Sequence, residues 1–169
     1  TFNMNGFAQT VASLSGSNAS AIVTNSGAAQ TLSVVGSTSG SYAGTLAGAL
    51  GLTVNLTGGS TLTLSNTNSS YTGATTITAG TLSVAHLANS GTNSSIGTGT
   101  TTPGISIGAA GILQYIGTTA DSTSRAITLT GSGATLDASG TGSIIYSGGI
   151  TGTATNLNLT VTGSGTEAC

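Results

Sequence analysis

The chain has 169 residues, and its whole charged inventory is Arg125, Asp121, Asp137 and Glu167, for a formal net charge of -2. Globular domains carry charge at roughly a quarter of their positions; a single arginine therefore excludes a phosphate-binding surface for nucleic acid and a polybasic membrane contact. A mean hydropathy of +0.32, with abundant Val, Ile, Leu and Thr, excludes charge-driven disorder.

The opening TFNMNGFAQTV lacks the basic and apolar regions of a signal peptide and reads as mature or excerpted sequence. The most apolar stretch, AGTLAGALGLTVNL, is broken by Gly and Thr and falls short of the ~20 apolar residues of a membrane helix. Short alternating runs then succeed one another: TLSVV, LTVNL, TLTLS, TTITA, TLSVA, ISIGA, ILQYI, AITLT, ATLDA, SIIYS and NLNLTVT. Such alternation predicts strands. Gly, Asn, Ser and Thr clusters separate the runs, and the lone proline, Pro103, sits in the loop-like GTGTTTPG. No window carries a helical period, so almost no helix is expected.

The runs recur. Leu14, Val34 and Val54 are twenty apart, as are Leu62 and Leu82, while the spacing from Leu136 to Leu157 is slightly longer. Strands this short could build a sandwich, a barrel or a solenoid. Few aromatics and no Trp imply a narrow core of aliphatic residues, which a coil of three short strands encloses. The expectation is all-β: a parallel β-solenoid, single-domain over residues 1–169, with about eight coils of roughly 20–23 residues, and a rod of roughly 40 Å at the ~4.8 Å strand spacing.

The segment TLTLSNTNSSYTGATTITAGTLSV, within the best-defined repeat at 58–84, resembles the passenger-associated transport repeat, also called the autotransporter-associated β-strand repeat. Leu62, Leu64, Asn68, Tyr71, Gly73, Gly80 and Leu82 match its pattern; one extra residue lies between Leu64 and Tyr71, and Asn66 stands where the family usually has Gly. NMNGFAQTVASLSGS and ILQYIGTTADSTSRAITLTGSGATLDASGTG are similar to segments that flank this repeat. The resemblance implies a right-handed parallel β-helix exposed outside a bacterial cell.

Little in the chain suggests catalysis. Hydrolases and lyases built on β-helices use clustered acids, whereas ADSTSR offers Asp121 and Arg125 at a spacing suited to a salt bridge across one loop, and Asp137 opens the turn-like DASG. His86 has no second histidine, cysteine or nearby acid to complete a metal site and reads as a turn or surface residue. No catalytic residue, metal or cofactor is expected, and the protein reads as non-enzymatic. Five Asn-x-Ser/Thr sequons, starting at Asn18, Asn55, Asn68, Asn93 and Asn158, are about what the composition produces by chance. The Thr-x-Thr pairs at 61/63, 76/78, 128/130, 151/153 and 160/162 are spaced too unevenly to hold one register, as an ice-binding face would require.

Neither terminal segment carries the charges or prolines that block edge pairing. The main expectation is an extracellular structural subunit that stacks head to tail with itself into a fibre or surface layer. The alternative is an excerpted stalk segment of a long bacterial surface adhesin or autotransporter passenger; a minor one is an ice-binding or carbohydrate-binding solenoid. Expected partners are the chain itself and surface glycans, with no nucleic acid and no membrane insertion by this segment. Cys169 is either a bystander thiol or an intermolecular cross-link. With one arginine and no lysine, resistance to trypsin-like proteases is expected.

Overall fold

A computed structural model describes residues 1–99, 104–153 and 158–165, and the backbone of 167–168. The strands are β1 (Phe2–Asn3), β2 (Gln9–Val11), β3 (Ile22–Gly36), β4 (Gly40–Tyr42), β5 (Thr45–Leu56), β6 (Thr61–Leu64), β7 (Thr75–Val84) and β8 (Ile105–Tyr115). They continue with β9 (Asp121–Thr123), β10 (Ile127–Leu129), β11 (Ala134–Ala138), β12 (Ile144–Tyr146), β13 (Ile150–Gly152), β14 (Leu159–Thr162) and β15 (Glu167–Ala168). No helix is present among the described residues, and every pairing between named strands is parallel. The protein is a β-solenoid.

Its cross-section has three faces. One is formed by β1, the start of β3 and the start of β5, and later by β9, β12 and β15. The second runs through Gln9, Leu32, Leu52, Thr75, Ile105, Ile127 and Ile150. The third is built from β4, β6, the end of β7, the end of β8, β11 and β14. The second face has seven rungs, and about seven turns replace the eight expected. The physical reason is unequal coil length. Successive rungs are 23, 20, 23, 30, 22 and 23 residues apart, by subtraction along that column. The 30-residue coil carries an excursion, described over residues 85–99, that a uniform period does not foresee.

Long strands turn corners where the backbone allows it. In β7 the corner is Gly80, at φ +78°, where a Cβ would also lie 2.6 Å from the Cβ of Leu56 in the coil below; only glycine tolerates both demands. Inside, like residues stack on like. Val34, Val54, Ile77, Ile107 and Leu129 form one buried column, and Leu62, Leu82, Leu113 and Leu136 another. Burying a side chain of this kind stabilises by ~1.5–3 kcal/mol, and the column geometry lets each satisfy its neighbours above and below.

The polar interruption of this core at Asn25 is fully paired. Asn25, 1% exposed, sits at the corner of β3. Its Nδ2 donates to the carbonyls of Ala28 (2.7 Å) and Ala49 (2.6 Å), and its Oδ1 accepts from the amides of Gly6 (2.7 Å) and Gly27 (3.3 Å). The side chain thereby replaces ladder bonds that the corner breaks in three successive coils.

The outward side of the second face carries a column of single hydroxyls, while the Thr-x-Thr pairs divide between this face and the third. Thr10, Ser33, Thr53, Thr76, Ser106, Thr128 and Thr151 are in direct register, one per coil. Unequal sequence intervals become one regular column because the coils themselves are unequal.

Candidate functional site

The site is built on the excursion. Between the third-face strand ending at Val84 and the second-face strand beginning at Ile105 lie twenty positions, against ten between Leu64 and Thr75 in the coil below, and their described part, residues 85–99, is a folded loop. Within it the Ser94 hydroxyl donates to the Gly97 carbonyl (2.9 Å) and accepts from the Ile96 amide (3.1 Å). The Ser94 amide reaches the Ser69 carbonyl of the coil below (3.3 Å), and the Thr98 amide the Tyr71 carbonyl (2.9 Å).

Arg125 clamps this loop from the coil above. It is 2% exposed. Its Nη1 donates to the carbonyl of Ile96 (2.9 Å), and its Nη2 donates to those of Gly97 (2.6 Å) and Thr92 (3.2 Å). Burial pulls the guanidinium below the usual arginine value. Thr123 assists: its hydroxyl donates to the Ala88 carbonyl (2.9 Å) and accepts from the Arg125 amide (3.3 Å).

Asp121 and Arg125 are therefore not a pair, contrary to the expected loop salt bridge. Arg125 lies beyond the end of β9 at Thr123, and its guanidinium is taken up by the three loop carbonyls. Asp121 instead meets His86: its Oδ2 lies 2.8 Å from His86 Nδ1 and accepts the Leu87 amide at 2.9 Å. The expectation that His86 has no acid near it is thus overturned; 35 positions along the chain separate residues that adjoining coils bring together. A carboxylate only accepts, so Nδ1 carries the proton. The Asp121 side chain is 7% exposed and that of His86 32%. Burial raises the Tyr115 phenol to about 12, and the neighbouring Asp121 adds to the shift.

Three of the chain's five acidic, basic and histidine side chains, His86, Asp121 and Arg125, thus converge on one excursion. Beside them lies an open groove of ≈ 640 Å³. Three successive corners form its walls: Thr67 and Asn68; Ala85 and His86 with Thr92 and Asn93; and Ile116 to Thr119. No group of three or more His, Cys, Asp or Glu able to hold a metal exists among the described residues.

The repeat residues play a different part. Leu62, Leu64, Tyr71 and Leu82 are buried core. The Tyr71 hydroxyl shares a 2.7 Å hydrogen bond with the Thr75 hydroxyl. Gly73 passes so close to the coil below that a Cβ would lie 2.8 Å from Gly51 Cα. Asn68 is exposed, its amide donating to Asn66 Oδ1 (2.9 Å), while Asn66 Nδ2 donates to the Ala43 carbonyl (2.9 Å). The asparagine at the family's usual glycine position is thus a tie between coils. The Asp137 carboxylate accepts from Gln114 Nε2 (2.8 Å) and the Ser139 hydroxyl (2.5 Å). Cys169 lies outside the described residues.

The buried leucines, the tyrosine and the close-packed glycines account for why this stretch has a recognisable pattern, and a family profile, described as passenger-associated-transport-repeat, matches residues 54–84. This chain carries a passenger-associated transport repeat. The repeat supplies the end of the second-face strand in β5, then β6, the Tyr71 corner and β7. Beyond the repeat, the chain is 36% identical over 147 residues to the adhesin BmaC autotransporter of Brucella suis biovar 1 (strain 1330). That alignment covers 86% of this chain and 4% of the relative, so the chain spans a small fraction of the relative's length. No solved structure matches.

Nothing in the sequence marks Thr92, Ile96, Gly97 and Thr123 as members of the loop clamp. The first three act through backbone carbonyls, which leave no side-chain signature. The scarcity of charge was the usable clue: in such a chain each ionisable residue marks a place where a carbonyl cluster or a partner compensates it.

Proposed function

We propose that this chain is a non-enzymatic segment of the extracellular passenger of a long bacterial surface adhesin, a rigid length of solenoid that helps hold binding surfaces away from the cell. The observation that carries the reading is the alignment of most of this solenoid with a very small part of an adhesin autotransporter. The transport repeat at 54–84 supports it. So does the stacking geometry, in which each coil is completed by its neighbours and the core can be prolonged without new architecture. Immunogold labelling of intact, unpermeabilised source cells with antibody to this chain tests it. Labelling outside the outer membrane is the expected result; labelling only after permeabilisation would overturn it.

A second reading is end-to-end stacking of separate copies into a fibre. Large apolar side chains exposed near the two ends of the rod support it, with Phe2 53%, Phe7 68% and Val161 53% exposed, as does the near absence of charge to oppose association.

A further inference from the structure

We propose that the groove beside His86 binds a neutral sugar, with the unprotonated Nε2 of His86 accepting a hydrogen bond from a sugar hydroxyl. The groove exists only because one coil is 30 residues long where the others are 20–23. In a fold whose other second-face rungs are 20–23 residues apart, that departure marks a position under a demand other than stacking.

The chemistry of the walls selects the ligand. Asn68, Asn93, Thr92 and Thr118 supply amide and hydroxyl groups, Ile116 supplies an apolar patch 36% exposed, and His86 supplies an oriented ring. Asp121 is a positioning residue. It holds the proton on Nδ1, which leaves Nε2 as an acceptor, and no hydrogen bond to Nε2 is present among the described residues. Among the described residues no free charge faces the groove: Arg125 is buried on three carbonyls, and Asp121 is buried on His86 and Leu87. An anionic ligand would find no cation, and a cationic one no free carboxylate. A volume of ≈ 640 Å³ falls within the range of small-ligand sites and suits one or two sugar rings. With no aromatic platform in the walls, binding is weak, in the millimolar range, as befits a multivalent surface.

The inference deepens the adhesin reading by naming a ligand class. It is tested by NMR titration of the His86 ring signals in the whole chain with N-acetylglucosamine, galactose and mannose, and with N-acetylneuraminic acid as the anionic control. A saturable shift with at least one neutral sugar and none with the anionic one is expected. In His86→Ala, followed by the backbone amide signals of Gly117 and Thr119 because the chain has no other histidine, the affinity should fall about tenfold. Thr118→Val and Asn93→Ala, at exposed positions on the walls, should each weaken it about threefold without altering thermal stability. Absence of a saturable shift with every neutral sugar overturns the proposal, as does an equal response to the anionic sugar or ¹⁵N shifts that place the His86 proton on Nε2 in the free protein. A sugar result in either direction is independent of immunogold labelling, so failure of the site and failure of the adhesin reading are distinguishable.

Discussion

Tyr115 shows how a chain without lysine responds to alkali. Tyr42, Tyr71 and Tyr115 are all buried, and burial is the leading cause that raises each phenol above its ordinary value of 10.0. A raised folded-state value means that the native state holds its protons where the unfolded chain releases them. The stabilisation is complete below pH 10 and is lost as pH rises toward about 12, the Tyr115 value. The denaturation midpoint should therefore be flat up to pH 10 and then fall steeply, together with the appearance of tyrosinate absorbance. Tyr115→Phe should make the fall shallower. A midpoint that falls well before tyrosinate appears would contradict the assignment.

At the scale of the element, the excursion is held by one clamp, and the clamp contains the only residue a trypsin-like protease recognises. Arg125 is almost fully buried, so the folded chain should resist cleavage and be cut only through transient opening. Gly97 controls that opening. Its φ is +66°, its carbonyl accepts from Arg125, and a Cβ there would lie 2.7 Å from the Tyr71 ring and closer still to the Tyr71 carbonyl. Gly97→Ala combines backbone strain with that clash, for a cost of about 2 kcal/mol. Since ~1.4 kcal/mol is a factor of ten, native-state cleavage after Arg125 should accelerate at least tenfold while most of the solenoid stays folded. Equal cleavage rates for the two proteins would show that the clamp does not govern access.

For the whole molecule, seven turns at ~4.8 Å make a rod of about 34 Å whose stability comes from neighbour-on-neighbour burial. Electron microscopy of the purified chain in dilute buffer separates the two functional readings at this scale. The passenger-segment reading predicts single short rods of about that length. Filaments that lengthen with protein concentration would favour end-to-end stacking instead, and their loss on reduction would give Cys169 a part in it.

How much of this was legible beforehand depends on whether the signal was local. The eleven alternating runs all fall on strands within the described residues, because inward and outward positions alternate along a strand whatever coil it belongs to. The first-face segments at the starts of β3 and β5 carry no readable run, since IVTN and TLAG reach the corners at Asn25 and Gly48 after only three residues. The transport repeat was readable for a related reason: Leu62, Leu82 and Tyr71 must be large and buried, and Gly73 and Gly80 must have no side chain, so the requirement is written at each position. Register across coils was not readable, because it is the sum of every intervening loop. One long excursion moved His86 onto Asp121, turned Arg125 away from Asp121 and toward three carbonyls, and left seven hydroxyls aligned. The sequence by itself determined the strands, the narrow aliphatic core and the solenoid, which follow from short-range alternation and composition. Only the tertiary structure decided which charges meet and where a groove opens, since contacts between coils depend on loop lengths that no local pattern encodes.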